Sequence, residues 1–499
     1  MTTAPAVPQV GEKDPLRWKA MIFIGISQLM VVLDASIVNL ALPSAKRALG
    51  ISDANQQWVI TAYTLTFGGL LLLGGRIADY VGRKRAFLIG LIGFALASLL
   101  GGIAPTAGVL FAARALQGGF AALLAPAALS LVSVIFTDPK ERAKAFGIFG
   151  AIAGGGAAIG LLLGGVLTEY SSWRWCLAVN TPISIIAALG AIRFIRESKA
   201  PGNTSYDIPG AITVTLGLVS LVYGLTKAAP KQGDISAHWT EPATLAFLVT
   251  GVVLLVAFVL IELRTSNPLL PMRVALERNR GGAYLSSLIT GAGLFSMFLF
   301  LGLYLQVIKG FSPIRAGFAF LPFSIGIILT AGVASYLLPK LGPRPLMVPG
   351  LLMAASGLYW LTFLKYDSPY LTHVLPAMLL MSVGMAFVFI PTASTALHGV
   401  GHHDAGVASA LINASQQVGG SIGAALLNTV AVTVTASYIT SHLPPTTTTQ
   451  YEALTAGYTK AFMVSTGLML LAAVVVLALI RIGKESLQEP DDDVPVHLG

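Results

Sequence analysis

The run from Lys19 to Pro43, KAMIFIGISQLMVVLDASIVNLALP, is apolar and long enough to cross a bilayer as a helix, and it carries one acid, Asp34, well inside it. A charge at that depth is expensive, so an embedded acid is a functional candidate; a helix cap or a silent pairing inside a bundle is the structural alternative. A second charge, Arg114, lies within a later apolar run, 107–136. Asp34 stands nine residues before Pro43, and Arg114 nine after Pro105. In antiparallel helices rising about 1.5 Å per residue, both lie about 13 Å below one boundary. A carboxylate and a guanidinium at one depth in a partly wet, low-dielectric cavity bias each other's ionisation, and a carboxylate whose proton depends on what fills the cavity is a workable proton carrier. Asp34 is therefore expected to exchange a proton for a cationic substrate, with a static ion pair as the competing interpretation.

Such residues need helices to hold them. The chain is 55% hydrophobic and 11% charged, against roughly a quarter charged in soluble domains. That predicts an all-α integral membrane protein. Its 53 glycines and 27 prolines are dispersed, as in transmembrane helices. The single cysteine, Cys176, excludes an intramolecular disulfide framework and a four-cysteine metal site. The first apolar segment has no small-residue cleavage motif behind it, so it is expected to remain as an anchor.

Apolar runs of bilayer length fall at 19–43, 54–75, 86–104, 107–136, 143–168, 175–195, 208–229, 241–263, 281–305, 313–338, 345–365, 372–396, 405–435 and 458–482, which predicts fourteen helices. An even count puts both termini on one side. Alternating loops on that side hold 21 Lys and Arg against nine opposite, so the termini are expected to be cytoplasmic. The net charge of +9 then needs no nucleic-acid partner, although the basic loops can touch anionic lipid. Ser437 to Tyr458, with Pro444, Pro445 and four threonines from Thr446, reads as an extended solvated loop, and Asp491 to Asp493 as a disordered tail.

A weak repeat appears at an offset of about 260. Gly82 falls over Gly342; Gly119 and Pro126 over Gly384 and Pro391; Gly147, Gly160 and Gly164 over Gly406, Gly419 and Gly423. Segments one to six and nine to fourteen thus form two related halves, with two inserted helices between them. The expected units are a tail at 1–18, an N-terminal half at 19–200, the insert at 201–270, a C-terminal half at 271–482 and a tail at 483–499. Two six-helix bodies rocking about a central site would give alternating access. Arg114 aligns with Leu379 and Asp79 with Pro339, so the polar machinery is concentrated in the first half.

The turn GGRIADYVGRKR, Gly74 to Arg85, combines Gly82 for a tight reversal with Asp79 as an acceptor or cap. Gly75, Asp79, Gly82, Arg83 and Lys84 resemble the signature turn of the major facilitator superfamily. That resemblance implies the major facilitator fold and a gating role for the turn, which in the family latches one half against the other in the outward-open state. Leu33 to Pro43, LDASIVNLALP with Asn39 inside it, is similar to the first-helix motif of the fourteen-helix drug:proton antiporters of the multidrug and quaternary-ammonium exporter type. Arg114, Gln117, Gly118 and Gly119 resemble their fourth-helix motif, whose arginine is implicated in proton coupling. Trp173, Arg174, Trp175, Asn180 and Pro182 resemble their fifth-to-sixth helix junction. The resemblance covers essentially the whole chain. One departure concerns the fifth segment, where the family has Gly-Pro two residues ahead of Gly-Gly and this chain has Gly160, Leu161, then Gly164 and Gly165. Gly156, Gly160 and Gly164 still form a flat face for close helix contact or gating, but without proline the helix is expected to kink less.

Other motifs are weaker. Gly419, Ser421 and Gly423 match a nucleophile-elbow pattern but lie inside an apolar run rather than a strand-to-helix turn. His398, His402, His403 and Asp404 could bind a metal or sense pH, with a solvated linker favoured. Glu169, Glu241 and Glu262 lie near segment ends and read as interfacial. Phe295, Met297, Phe298 and Tyr304 are either cavity liners or bilayer-facing. No P-loop is present, so a proton gradient rather than ATP or another cofactor is the expected energy source. The expectation is a non-enzymatic, proton-coupled secondary transporter of the inner or plasma membrane, exporting lipophilic, cationic small molecules. An exporter of an endogenous metabolite, lipid or self-made antibiotic is the alternative, and a membrane enzyme or non-transporting sensor the alternative of another class. Its partners are the small-molecule substrate, protons and the lipid bilayer; oligomeric state is open.

Overall fold

In a computed structural model, the described residues are 15–199, 207–230, 234, 236–400, 404–442 and 446–483. The long helices are α1 (Arg17–Leu49), α2 (Trp58–Val81), α3 (Arg83–Gly102), α4 (Ala107–Ile135), α5 (Pro139–Tyr170), α6 (Asn180–Phe194), α7 (Ile208–Lys227), α8 (Pro242–Arg264), α9 (Arg278–Leu303), α10 (Pro313–Leu341), α11 (Arg344–Leu361), α12 (Leu375–Leu397), α13 (Ala405–Ser441) and α14 (Thr447–Leu479). Short helical turns, Trp175–Ala178 and Met272–Ala275, precede α6 and α9, and single π-turns at Tyr304–Ile308 and Tyr370–Val374 extend α9 and lead into α12.

Twelve spans among the described residues are long and apolar enough to cross a membrane. The two long helices outside that set are α5 and α11, the latter with 18 residues and opening on Arg344 and Pro345.

Two boundaries differ from the sequence expectation. Pro43 does not end α1, which runs six residues further, to Leu49, before Gly50 caps it with a left-handed backbone, φ 63°. The run from Ser437 to Tyr458 is mostly helix rather than extended loop. Thr446 caps α14 by accepting from the Thr449 backbone at 3.1 Å, so the threonine run starts a helix. The acidic stretch Asp491 to Asp493 lies outside the described residues.

Helix pairing follows the repeat. In the first half α4 packs on α2 and α3, and α1 on α5 and α6; in the second α12 packs on α10 and α11, and α9 on α13 and α14. Gly82 (φ 121°) and Gly342 (φ 82°) end α2 and α10 alike, each donating its N–H to the carbonyl four residues back. A Cβ at Gly160 or Gly164 would meet α1 backbone, and one at Gly419 or Gly423 would meet α9 backbone, so each half uses the same four-residue glycine step for a close helix pair.

The halves meet through α2 on α13 and α5 on α10, and the inserted α7 lies over the first of these seams, packing on α2, α13 and α8. We call the end with Arg17, Asp79 and Glu141 the near side and the other the far side; Arg17 and Glu141 pair there at 2.7 Å. Hydrogen bonds between the halves cluster toward the far side. Asn428 on α13 accepts from Gln56 at 3.1 Å and donates to Gln57 Oε1 and the Asp53 carbonyl, each at 2.9 Å. Thr64 and Ser421 lie 2.6 Å apart, and Glu169 accepts from the Ile314 backbone at 2.9 Å. Replacing Asn428 with Ala removes three of these bonds and is expected to widen the far side. Electron-spin distance measurements between labels at the exposed positions Ala48 and Thr440, with Cys176 replaced, would register longer separations than in the parent; an unchanged distribution contradicts this closure.

Candidate functional site

Asp34 and Arg114 meet inside the first half. Arg114 Nη1 donates to Asp34 Oδ2 at 2.6 Å, and the side chains are 1% and 0% exposed for Arg114 and Asp34 respectively. Gln117 Nε2 donates to Asp34 Oδ1 at 3.0 Å, and Asn180 Nδ2 donates to the same oxygen at 2.7 Å. The carboxylate thus accepts three hydrogen bonds from α4 and α6, which is the pattern of an ionised acid whose lone pairs are satisfied.

The guanidinium is held with equal care. Its Nε donates to the Val59 carbonyl at 2.9 Å, Nη1 also donates to Gln117 Oε1 at 2.9 Å, and its Cζ lies 4.5 Å from the Tyr63 ring centroid. Gln117 is fixed in turn by Ser98 on α3, Nε2 to Oγ at 2.6 Å. Breaking a buried pair by removing one partner strands the other charge, so this network stands or falls as a unit.

Glycines and a junction set the geometry. A Cβ at Gly118 would strike the Tyr63 carbonyl and Thr66 Oγ1, so glycine there lets α4 approach α2 closely enough to bring Tyr63 over Arg114. Asn180 opens α6 just after a turn in which Arg174 Nη1 donates to the Ala104 carbonyl at 2.7 Å and its guanidinium lies 4.6 Å from the Trp173 ring centroid. This clasp ties the start of α6 to the loop before α4, which sets Asn180 opposite Asp34.

On α5, a Cβ at Gly156 would come within 3.0 Å of Val32, at Gly160 would strike Ser36, and at Gly164 would lie 2.8 Å from the Ile37 carbonyl. These three glycines therefore face α1, on both sides of Asp34 in sequence. Gly165 faces the other half, where a Cβ would lie 2.7 Å from Ile314 Cα on α10. Leu161 is buried, and α5 is continuous through it. Asn39 turns back on its own helix, donating to the Ser36 carbonyl at 3.2 Å, and Pro43 lies within α1; neither joins the pair.

The bonds that Asp79, Arg83 and Lys84 make in the turn after α2 lie within the first half. Arg83 donates to Asp79 Oδ1 through Nε at 3.1 Å and Nη2 at 3.0 Å. Glu197, which sequence reasoning passed over, caps α3 by accepting from the Lys84 and Arg85 backbone at 3.0 and 3.1 Å. Lys84 Nζ donates to the Ile192 carbonyl at 2.9 Å, so these bonds hold the turn to the end of its own half. Gly82 leaves room for the Glu197 carboxylate, 2.7 Å from where a Cβ would be, while Gly75 lies against Pro126 with less constraint.

Other candidates fall into place around this site. Met297 and Tyr304 are buried in the second half, so they are not bilayer-facing; Phe298 packs against Phe320 and Phe323 with centroids 5.4 and 5.3 Å away, and Phe295 faces Gly420. Ser421 bonds Thr64 from within α13 and is no elbow nucleophile. Among the described residues no group of three His, Cys, Asp or Glu could hold a metal; His402 and His403 lie outside them, and Asp404 pairs with Arg273. Glu262 is buried rather than interfacial, 3% exposed. Ser98 and Tyr63 had no sequence signal beyond a lone polar group in an apolar run, whereas Gln117 and Asn180 stood out as motif residues without a visible partner.

Residues 24–424 match the family model described as Major Facilitator Superfamily. The chain is 49% identical over 480 residues to the puromycin resistance protein pur8 of Streptomyces alboniger, covering 95% of this chain and 94% of that one. It is 40% identical over 416 residues to the cephamycin export protein CmcT of Amycolatopsis lactamdurans, covering 82% and 84%. Among solved structures, a bacterial homolog of the human lysosomal transporter Spinster, inward-facing and occupied, superposes with a TM-score of 0.67 at 14% identity, covering 96% of this chain and 100% of that one, a likeness of fold alone.

Removing the Arg114 side chain leaves the Asp34 charge buried without its partner, which destabilises such sites by about 3–5 kcal/mol. Arg114→Ala is expected to lower the melting temperature of the purified protein strongly, and Asp34→Asn with Arg114→Ala to recover part of the loss; equal melting of single and double variants contradicts a coupled pair.

Proposed function

The chain belongs to the Major Facilitator Superfamily, and from that premise we propose that it exports lipophilic, cationic drugs or antibiotics across the bacterial plasma membrane in exchange for protons, by alternating access of its two six-helix halves. The observation that carries this is the Asp34–Arg114 pair, 2.6 Å apart and shut away from solvent.

Its three donors match the ionised carboxylate. Protonating Asp34 turns one acceptor oxygen into a donor, so a bond from α4 or α6 breaks and α1 loosens from them. A proton arriving from one side and leaving on the other thereby becomes a change in helix packing. The glycine face of α5 against α1 provides the surface along which that change can travel. Tyr63 Oη and Asn180 Oδ1 meet no partner among the described residues, which leaves them for water or substrate when the clasp opens.

With fourteen crossings, α5 and α11 included, α1 begins and α14 ends on the near side, and the excess of basic residues there makes that side cytoplasmic. Far-side bonding between the halves then corresponds to an inward-facing state, in which an ionised Asp34 has given up its proton and substrate binds from the cytoplasm. One embedded acid implies electroneutral exchange of a proton for a monovalent cation. The relatives support antibiotics as substrates: one is named for puromycin resistance and another for cephamycin export. The second name also favours export of a compound made by the producing cell itself.

In proteoliposomes with an imposed pH gradient, wild-type protein is expected to accumulate a fluorescent lipophilic cation and Asp34→Asn to lose gradient-driven accumulation by at least about tenfold, the equivalent of 1.4 kcal/mol. Unchanged accumulation by Asp34→Asn would falsify the assignment.

A further inference from the structure

A second buried acidic pair lies outside the site above, at the near-side end of the inserted helices. Asp207 caps α7, its Oδ1 accepting from the Gly210 backbone at 2.8 Å, and Glu262 sits in the last turn of α8 with Oε2 accepting from the Leu270 backbone at 2.9 Å. The residues are 5% and 3% exposed. Their remaining oxygens, Asp207 Oδ2 and Glu262 Oε1, are buried and meet no donor among the described residues. A Cβ on Gly210 would lie 2.4 Å from Asp207 Oδ2 and 2.9 Å from Glu262 Oε1, so the two oxygens line the same small space.

Two buried acceptors that face each other without a donor make no sense as two carboxylates. They fit if one carboxyl keeps its proton and donates it to the other. Arg76 on α2 is the charged side chain of a neighbouring helix whose field reaches Glu262. A single cation beside the pair matches one negative charge rather than two. Arg76 also donates to the Pro268 carbonyl and to Tyr80 Oη, so the segment leading from Glu262 past Leu270 is tied to the same turn that carries Asp79 and Arg83.

We propose that Asp207 and Glu262 form a proton-binding site distinct from Asp34, holding one proton between Asp207 Oδ2 and Glu262 Oε1 and clasping the inserted helices to the turn after α2. Loss of that proton to near-side water leaves two carboxylates in contact. Their repulsion separates the start of α7 from the end of α8 and loosens the segment that Arg76 holds. The clasp makes the insert a near-side proton sensor. This inference does not rest on the transport assignment of Asp34, and the two can fail separately.

Infrared spectroscopy of the full chain in lipid nanodiscs tests it through the carbonyl stretch of a protonated carboxyl, compared at neutral pH in wild type, Asp34→Asn, Asp207→Asn and Glu262→Gln. Each of the last two replaces a carboxyl by an amide that donates to the surviving carboxylate, so no shared proton is needed. The band is expected in wild type and in Asp34→Asn and is lost from both amide variants. Melting temperature should fall as pH rises in wild type, with the fall reduced in Glu262→Gln. If one amide variant fails to fold, the other still reads the band. Absence of the band from wild type, or its persistence in a folded amide variant, overturns the proposal; its loss from Asp34→Asn alone assigns the proton to the central pair and overturns it equally.

Discussion

A carboxylate removed from water must be given back its hydrogen bonds, and that requirement organises the first half of this protein. Asp34 recovers three donors from α4 and α6. Arg114, brought in to balance the charge, needs acceptors of its own and takes the Val59 carbonyl and the Gln117 side chain. The network pulls α1, α2, α3, α4 and α6 together, through Asp34, Val59, Ser98, Arg114, Gln117 and Asn180. Close approach of the helices is then a precondition. Gly118 meets it between α4 and α2, and Gly160 and Gly164 meet it between α5 and α1.

The second half has the same glycine geometry without the charge. Gly419 and Gly423 seat α13 against α9 as Gly160 and Gly164 seat α5 against α1, yet α9 carries small and hydroxyl residues where α1 carries an acid, and Ser296 bonds Ser465 of α14 where the first half has the Asp34–Asn180 bond between α1 and α6. Related scaffolds thus serve unequal purposes. One half holds the buried ion pair, and the other an apolar core with an aromatic cluster around Phe298.

Depth and pairing of Asp34 and Arg114 were legible because a charge inside an apolar run is conspicuous and helix rise converts spacing into height. The meeting survived a wrong premise, since Pro43 does not mark the end of α1. Ser98, Tyr63 and Glu197 were not legible. Their importance arises from which helices pack together, and no local pattern reports that. The threonine run at Thr446 misled because composition suggests a loop while the first threonine is a good N-cap. Glu262 misled for the opposite reason: its place near a helix end suggested an interface, and only the packing of α7 against α8 buries it with Asp207.

The central claim is that Asp34 gives up its proton as substrate binds, and proton release on binding tests it most directly. Calorimetric titration of the purified protein with a lipophilic cation, in buffers of different ionisation enthalpy, gives the number of protons released per substrate bound. At a pH low enough that Asp34 of the free protein holds a proton, the account predicts about one from wild type and near zero from Asp34→Asn, as linkage between the two ligands requires. Equal proton release from both proteins would contradict it.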